Sequence, residues 1–459
     1  MRHTPTGYWL EEAGAVEPAA PLAGDVTADV AVAGGGYLGL WTALRLKELE
    51  PGCDVVLLEA GVCGHGPSGR NGGFVNSLWA DARVLLESFG RERAAAVYHA
   101  SAESVTAIGD WCERNGVDAW YRDAPKLKVA TTPAQDGAWA PAPAALAELG
   151  AGDGVRELTP AEVAGRCSSP VFRSGLLVPG SATVQPARLA LGLRAQALEA
   201  GVRIHEHTRV GRVRPDGTVE TDSGRVRAGA AVLAVNSATG AFAGFRRALA
   251  VASSHLVLTE PVPDVLEEVG WTGGEAISDH RTLLHYFRTT PDGRIAFGWG
   301  GGAMGYGARP GGRLEVDGFC VERAHATLLR FFPQLAGRRL THAWGGPIDV
   351  SPSHLPVFGS RGAVHHGFGF TGNGVGPAHF GGRILASLAL DRRDEWSSLA
   401  LVDPPRRSFP PEPFRYAGGA LIRRALIATD AAEDEGRRPG RATALVASLP
   451  RRLGLHLPR

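Results

Sequence analysis

The chain has 459 residues, of which 44% are hydrophobic, enough for a large core in two domains or in one domain with a large insertion. Its 48 basic and 47 acidic side chains nearly balance, so no nucleic-acid partner is expected. Five scattered cysteines without a CxxC pair argue against a disulfide framework or metal site and for a cytoplasmic protein. With no apolar leader or eighteen-residue apolar run, no membrane association is expected either.

The segment 26–59 contains the strongest local signal. Val26 to Ala33 is typical of a buried strand, Gly34, Gly36 and Gly39 form G-x-G-x-x-G, and Leu40 to Leu49 has helical spacing. A second strand, Asp54 to Leu58, ends at Glu59. This order predicts a dinucleotide site, because the glycines admit the pyrophosphate, the helix N-terminus faces its charge, and the acid binds the ribose. The acid also disfavours NADP.

After Glu59 the chain reads AGVCGHGPSGRNGGFVNS, a glycine-rich loop with Ser68, Arg70 and Asn71. A typical NAD dehydrogenase would continue into a further helix and strand. This loop instead favours contact with a planar, polar group, and therefore FAD over NAD. Further along, Pro186 is suited to the first turn of a helix, and Gly229 to Gly240 fits a buried strand followed by a turn.

Three segments between residues 246 and 340 are rich in strand-forming residues: SSHLVLTEP, HRTLLHYFRTT and GRIAFGWGGG. They predict an antiparallel sheet that covers the cofactor and forms the substrate pocket. Alternation places His285 and Phe287 on one face and Tyr286 and Arg288 on the other. If Tyr286 and Arg288 face the pocket, the guanidinium would suit a substrate carboxylate or phosphonate; if His285 and Phe287 do, a neutral amine fits better.

Five glycines from Gly367 to Gly376 precede a helix-compatible run from Ala378 to Leu390, which suggests backbone amides close to a ligand. Beyond residue 395 lie a proline-rich connector, a helix-like segment from about Phe414 to Glu435, and a tail with six arginines and no acidic residue. With leucines interspersed, this tail is expected to dock on its own protein or on a second subunit.

Four blocks resemble a known superfamily. The SGRNGG loop, VPGSATVQPARLALGL, GAAVLAVNSATG, and WGGPIDVSPSHLPVFG followed by GFGFTGNGVGPAHFGGRILASLAL are similar, in this order, to FAD-dependent D-amino acid oxidases, glycine oxidases and sarcosine oxidases. The likeness is greatest to members of the γ-glutamylputrescine oxidase type. It spans about residues 25 to 395.

The resemblance implies an α/β plus α+β protein, with a discontinuous Rossmann-like FAD-binding domain and an antiparallel-sheet substrate domain. The FAD-binding domain would comprise residues 25–100, 176–245 and 341–395, the substrate-binding domain 101–175 and 246–340, and the C-terminal connector, helix and basic tail 396–459.

The resemblance also implies residues for each role. The expected cofactor-binding residues are Gly34, Gly36, Tyr37, Gly39, Glu59, Ala60, Ser68, Gly69, Arg70, Asn71, Gly72, Gly73, Val210, Asn236, Gly345, Gly372, Asn373, Gly374, Val375 and Gly376. The expected catalytic residues are Arg70, His255, Tyr286, Arg288 and Trp344, and no metal is expected.

The implied reaction is oxidation of the C–N bond of a primary or secondary amine or amino acid by hydride transfer to flavin N5, followed by hydrolysis of the imine.

FAD is expected to be noncovalent, because no cysteine lies in the Trp344 block and Arg70 aligns with the histidine to which some relatives attach the flavin. His65, in the same loop, is the one candidate for covalent attachment. The strand Arg294 to Gly300 has no lysine to activate oxygen, so the electron acceptor is oxygen or another oxidant. A monomer or homodimer is expected. The alternatives are a flavin monooxygenase that uses NADPH and a noncatalytic flavoprotein subunit.

Overall fold

The computed structural model describes residues 2–3, 6–307, 311–405 and 407–455; Arg459, the last arginine of the predicted basic tail, lies outside them. The helices are α1 Gly7–Ala13, α2 Tyr37–Leu49, α3 Ala82–Phe89, α4 Arg91–Arg114, α5 Pro141–Glu148, α6 Pro160–Ala164, α7 Pro186–Glu199, α8 Pro263–Glu268, α9 Gly318–Phe331, α10 Val375–Ala389, α11 Phe414–Asp434, α12 Arg441–Ala447 and α13 Leu449–Arg452.

The strands are β1 Arg2–His3, β2 Val26–Ala33, β3 Val55–Leu58, β4 Phe74–Val75, β5 Arg122–Asp123, β6 Lys126–Val129, β7 Arg156–Leu158, β8 Gly175–Val178, β9 Ala182–Thr183, β10 Arg203–His205, β11 Val210–Val213, β12 Val219–Thr221, β13 Gly224–Leu233, β14 Ala250–Thr259, β15 Ala276–Asp279, β16 His285–Thr289, β17 Ile295–Trp299, β18 Met304–Gly305, β19 Leu340–Val350, β20 Val357–Arg361 and β21 Val364–Phe368. None of the helices in the described residues is long and apolar enough to cross a bilayer.

A parallel sheet carries the predicted dinucleotide motif. Its strands run in the order β10-β3-β2-β13, and β21 pairs with β13 in the same direction. Alternate residues of β2 face opposite sides: Val30 and Val32 pack with α2 and α10, whereas Ala31 packs against Val219 and Val226. Helices on one face and an antiparallel hairpin on the other give the Rossmann-like arrangement that was predicted, and the α/β plus α+β fold class is confirmed.

The large sheet runs in the order β1-β19-β14-β17-β16-β15-β6-β8-β7, and β18 pairs with β14. Within the described residues its pairings are antiparallel except for β1 with β19 and β15 with β6. One face is apolar and carries Leu127, Phe287 and Phe297, which pack with Phe331 of α9. The opposite face carries polar and aromatic side chains and lies toward the segment around Gly72.

Most predicted elements are present, with shifted ends. The first strand matches its predicted bounds, and α2 begins at Tyr37, three residues before the predicted start. Helix α7 begins at Pro186, where Gln185 caps it by accepting the N–H of Arg188. The strand predicted across residues 280–290 begins at His285, because Asp279 accepts the backbone N–H of His285 across a turn.

Two elements, β19 and α4, cross the predicted domain boundaries. Strand β19 pairs with β14 from Leu340 to Val350, so residues 341–350, assigned by sequence to the FAD-binding domain, lie in the large sheet. Helix α4 extends into the predicted substrate domain, yet Trp111 packs on Trp41 of α2 with ring centroids 5.0 Å apart. The division into two domains stays a prediction.

The predicted C-terminal helix is present as α11 and packs on the large sheet. The carboxylate of Asp434 binds the guanidinium groups of Arg281 and Arg330. Near the other end, Arg415 donates hydrogen bonds to the carbonyl oxygens of Arg246 and Leu249. Helix α11 is therefore held to this chain at both ends by charged groups.

A buried ion pair joins the N-terminal segment, the loop after Glu59 and α7. Glu206 is fully buried and accepts two hydrogen bonds of 2.8 Å from Arg194, one from the Cys63 N–H and one from the Ala19 N–H. Burial alone would raise the pKa of Glu206, but these donors lower it to about 2. The carboxylate is charged at neutral pH and fixes the position of the loop.

Replacing Glu206 with glutamine is expected to lower the free energy of unfolding by about 3–5 kcal/mol at pH 7, because Arg194 then lacks its counter-charge. The folded-state pKa lies below the ordinary value of 4.5. The contribution of the pair is therefore complete above about pH 5 and declines as the pH falls toward 2. Urea unfolding at pH 7 and at pH 3.5 should show a smaller difference between variant and wild type at the lower pH.

The matched control is Glu48→Gln. Its carboxylate pairs with Arg45 on the surface, where an ion pair contributes about 0–1 kcal/mol. Equal losses in the two variants, or a difference that does not change with pH, would contradict the role given to Glu206.

Candidate functional site

Residues 34–39, named here the glycine turn, run from the end of β2 into the first turn of α2. Neighbouring carbonyl groups lie so close to this turn that a side chain would not fit at Gly34 or Gly39. A Cβ at Gly39 would lie 1.9 Å from the carbonyl oxygen of Gly34. Gly34 has φ of +107°, and its Cβ would lie 2.4 Å from the carbonyl oxygen of Ala234. The N-terminus of α2 can therefore sit directly against the ends of β2 and β13, which is the geometry a pyrophosphate site needs.

Glu59 lies beside this turn at the end of β3. Its carboxylate accepts hydrogen bonds of 2.8 Å from the N–H groups of Gly35 and Gly61, while the neighbouring Ala60 is exposed. Val210 packs in the apolar cluster around Ala33. These predicted cofactor residues thus surround one end of the parallel sheet.

Residues 68–76, named here the glycine loop, are anchored to α2 and to the large sheet. The hydroxyl of Ser68 accepts the backbone N–H of Tyr37 at 2.9 Å. Asn71 accepts the N–H of Gly73 and donates to the Ser68 carbonyl, both at 2.7 Å. From the large sheet, the indole N–H of Trp344 donates to the Arg70 carbonyl at 2.8 Å. The loop is therefore held in place by two of its own side chains, Ser68 and Asn71, and by Trp344 of the large sheet.

The predicted segment Gly372 to Gly376 meets the end of the glycine loop. Asn373 donates to the carbonyl of Ser77 at 3.0 Å, and a Cβ at Gly376 would lie 2.4 Å from the carbonyl oxygen of Asn76. The side-chain oxygens of Asn76 and Asn373 are buried and accept no hydrogen bond within the described part of the chain. Gly374 caps α10, which begins at Val375.

Sequence reasoning missed Asp349, which supports this segment. Its carboxylate accepts the N–H of Gly369 at 2.5 Å, and its carbonyl accepts the N–H of Thr371 at 3.0 Å. Burial raises the pKa of Asp349 to about 7, against hydrogen bonds that include one with the predicted cofactor residue Asn236. An acid inside the apolar run of β19 was the signal available in the sequence.

Three sequence-distant segments therefore converge: the glycine turn, the glycine loop, and residues 372–376. The turn leaves backbone space for a diphosphate and carries an acid for a ribose. The other two present glycine backbone and two buried amide oxygens without partners, which suits the polar edge of a flat ring. The residues present fit FAD.

The large sheet turns one defined face toward the glycine loop. A Cβ at Gly72 would lie 2.8 Å from the Tyr286 ring, and one at Gly73 would lie 2.6 Å from the Arg288 guanidinium. The face that carries these two side chains is named the loop face; Trp344 shares it, because cross-strand register links Tyr286, Gly298, Leu256 and Trp344. Of the two alternatives left by sequence alternation, the structure has Tyr286 and Arg288 toward the loop.

The Arg288 side chain is nonetheless hydrogen-bonded to backbone carbonyl groups. It is 2% exposed, and one of its nitrogens donates to the carbonyls of Gly73 at 2.9 Å and Val184 at 2.5 Å. Its guanidinium also lies over the Trp9 ring, 5.3 Å from the centroid. These contacts favour a structural role over the carboxylate clamp that alternation suggested; its assignment as a catalytic residue stays a prediction.

His255 does not join the other predicted catalytic residues. The register pairs it with Trp299 and Gly345, and Trp299 with His285, so all four lie on the apolar face away from the loop. The His255 ring occupies the space that a Cβ at Gly345 would fill, 2.5 Å away. Burial lowers the pKa of His255 to about 4. Unlike His255, His285 forms a side-chain hydrogen bond, with Asp279 at 2.7 Å.

Three residues that sequence reasoning did not select lie where the glycine loop meets the large sheet: Phe74 in the loop, and Lys126 and Lys128 on the loop face. Phe74 lies within the glycine loop and contacts Tyr286 with ring centroids 5.6 Å apart. Lys126 places its ammonium 4.4 Å from the Phe74 ring centroid, and Lys128 lies 5.7 Å from that of Trp79. The alternation of lysine with apolar residues in β6, KLKV, was the sequence pattern that could have indicated these two residues.

Comparison with known proteins agrees with this geometry. Residues 29–388 match the DAO family model, described as FAD dependent oxidoreductase. The chain is 30% identical to γ-glutamylputrescine oxidoreductase of Escherichia coli K12, over 94% of this chain and 97% of that protein.

Two solved structures share the fold. Glycine oxidase from Geobacillus kaustophilus has a TM-score of 0.66 at 20% identity and covers 80% of this chain and 96% of its own. L-amino acid deaminase from Proteus myxofaciens has a TM-score of 0.66 at 17% identity, over 85% and 96%.

The resemblance found in the sequence is confirmed, both for the superfamily and for its γ-glutamylputrescine oxidase-like members. Because the family match spans well over half of the residues, the chain belongs to the DAO family of FAD-dependent oxidoreductases.

Proposed function

We propose that this protein oxidises the C–N bond of a primary or secondary amine or of an amino acid. The supporting observation is that the glycine turn, the glycine loop and residues 372–376 converge, and that the Tyr286 ring lies against this loop at Gly72. The names of the similar proteins support the same substrate class, since they include a γ-glutamylputrescine oxidoreductase, a glycine oxidase and an L-amino acid deaminase.

Bound FAD would supply a two-electron acceptor that takes a hydride from the carbon bearing a neutral amine, after which water hydrolyses the imine. The N-terminus of α2 would hold the diphosphate, and Glu59 would bind the ribose. The glycine loop and the start of α10 would hold the flat ring. The chain thus provides binding and orientation, and little acid–base chemistry is needed.

Tyr286 is the residue best placed to orient a substrate amine. Its hydroxyl lies 2.7 Å from the Ser254 hydroxyl, and burial raises the pKa of the phenol to about 12. The phenol is therefore protonated at neutral pH and able to donate or accept a hydrogen bond. Arg70 and Trp344 act as positioning residues through the hydrogen bond that fixes the loop.

The test is anaerobic mixing of the purified holoenzyme with simple amines, N-methyl and D- and L-amino acids, aminophosphonates, and NADPH, while the flavin absorbance is followed. Bleaching by one amine class with NADPH inert is the expected result. Bleaching by NADPH alone would overturn the proposal in favour of a monooxygenase, and no bleaching by any compound would favour a noncatalytic flavoprotein. Admitting air afterwards measures whether oxygen is the acceptor.

Gly39→Ala is expected to weaken FAD binding at least tenfold, because its Cβ would overlap the Gly34 carbonyl and displace the start of α2. The control is Gly52→Ala, where a Cβ meets nothing within 4 Å. The flavin-to-protein absorbance ratio after dialysis measures retention, and circular dichroism checks folding. Equal retention in both variants would contradict the assignment of the site.

We also propose that FAD is bound noncovalently. Acid precipitation of the holoenzyme should then release the yellow colour into the supernatant. Flavin that stays in the pellet would contradict this and would direct attention to His65, the histidine in the loop after Glu59.

Tyr286→Phe is expected to lower kcat/KM for the best amine by ten- to a hundredfold, because a hydrogen bond to the substrate is lost. Flavin content should stay unchanged, since Phe74 packs on the ring rather than on the hydroxyl. The control is Tyr416→Phe on the exposed side of α11. An unchanged kcat/KM in Tyr286→Phe would remove this residue from the proposed role.

A further inference from the structure

Lys126 and Lys128 both lie on the loop face, separated by one residue of β6. Alternation sends Leu127 and Val129 into the apolar core and turns both lysines toward the glycine loop. Lys126 is 6% exposed and Lys128 is partly buried. Their ammonium groups lie over Phe74 and Trp79, aromatic residues in and just after the glycine loop.

Neither ammonium group has a counter-ion of its own. Among the residues that the structure describes, neither forms an ion pair or donates a hydrogen bond; each ammonium group instead lies over an aromatic ring. The nearby acids are engaged elsewhere: Asp279 binds His285 and Arg281, and Asp81 binds His354. Burial lowers the pKa of Lys126 to about 7 and that of Lys128 to about 8.

A buried cation without a partner is unfavourable, and two neighbouring cations repel each other. Contact with an aromatic ring offsets part of this, but an anion offsets more, because charge-assisted hydrogen bonds in a site shielded from water are strong. A negatively charged group near Phe74 would therefore stabilise both lysine side chains.

We propose that Lys126 and Lys128 bind a carboxylate of the substrate, so that the preferred substrate is an amine that carries a carboxylate. The inference rests on the proposed function, because it places this group beside the glycine loop and Tyr286. It gives the lysines the anion-binding role that Arg288, bound to the backbone, does not take. Lys126 and Lys128 are specificity-determining residues in this assignment.

The test uses the holoenzyme and the variants Lys126→Met and Lys128→Met. Methionine keeps the length of the side chain and removes an unpartnered charge, so folding should be retained. The matched control is Lys47→Met, which removes the one other lysine of the chain, a residue whose ammonium binds the carbonyls of Pro51 and Cys53.

The first readout is the binding of carboxylates that cannot be oxidised, namely acetate, propionate and benzoate, followed by changes in flavin absorbance and tryptophan fluorescence. We expect Kd to rise at least tenfold in each site variant and to stay unchanged in Lys47→Met. Lysine-to-arginine variants should recover part of the affinity. Carboxylates that do not bind the wild type, or that bind all variants equally, would overturn the proposal.

The second readout compares substrate pairs that differ by the carboxylate: glycine with methylamine, N-methylglycine with dimethylamine, and 4-aminobutanoate with propylamine. The site variants should raise KM for the carboxylated member of the pair that is oxidised, and leave KM for the member without a carboxylate unchanged. Equal losses for both members would overturn the proposal. So would unchanged carboxylate binding combined with slower reoxidation by oxygen, since that result would assign the lysines to oxygen activation.

The two readouts separate the two proposals. If inert carboxylates bind through the lysines but no amine reduces the flavin, the anion site stands and the proposed reaction fails. If amines reduce the flavin but the lysines do not affect carboxylates, the reaction stands and the anion site fails. Should a methionine variant not fold, competition between inert carboxylates and substrate in the wild type decides whether an anion site exists.

Discussion

The guanidinium of Arg288 fixes the relation between the large sheet and the glycine loop. It joins β16 to two main-chain carbonyls, Gly73 in the loop and Val184 just before α7. Burial lowers the pKa of Arg288 to about 9, so the group is still charged at neutral pH. A carbonyl accepts a stronger hydrogen bond from a charged donor than from a neutral one. The position of Tyr286 relative to the loop follows from this contact, because the two residues are two apart on one strand.

The N-terminal residues complete the same junction, although the sequence assigned them to no domain. The Trp9 ring packs on Trp344 with ring centroids 5.9 Å apart and lies beneath the Arg288 guanidinium. The Trp9 carbonyl accepts a hydrogen bond of 2.7 Å from Gln185. Helix α1 therefore shields the arginine from water, and the segment ahead of the dinucleotide motif belongs to the framework of the site.

The sequence was informative where backbone geometry demands a particular residue. The glycines at 34 and 39 predicted a close approach that the structure has, and the glycine loop and residues 372–376 were found for the same reason. The sequence was less informative about which side chains share a face of the large sheet, because this depends on the register between strands that are distant in the sequence. Alternation could pair Tyr286 with Arg288 but could not choose their face, and it could not separate His255 from Trp344, because both facts depend on which residues lie opposite each other in the sheet. The placement of Lys126 and Lys128 was not predicted, because only the strand order of the sheet shows that β6 contributes to the loop face.

The scarcity of lysine has a practical consequence for handling the protein. Lysine occurs at positions 47, 126 and 128, and the last two side chains point into the interior beside aromatic rings. Amine-directed coupling chemistry would therefore attach to Lys47. A biosensor surface or fluorescent label coupled to Lys47 would be attached near the C-terminal end of α2, and β6 of the large sheet would stay unmodified.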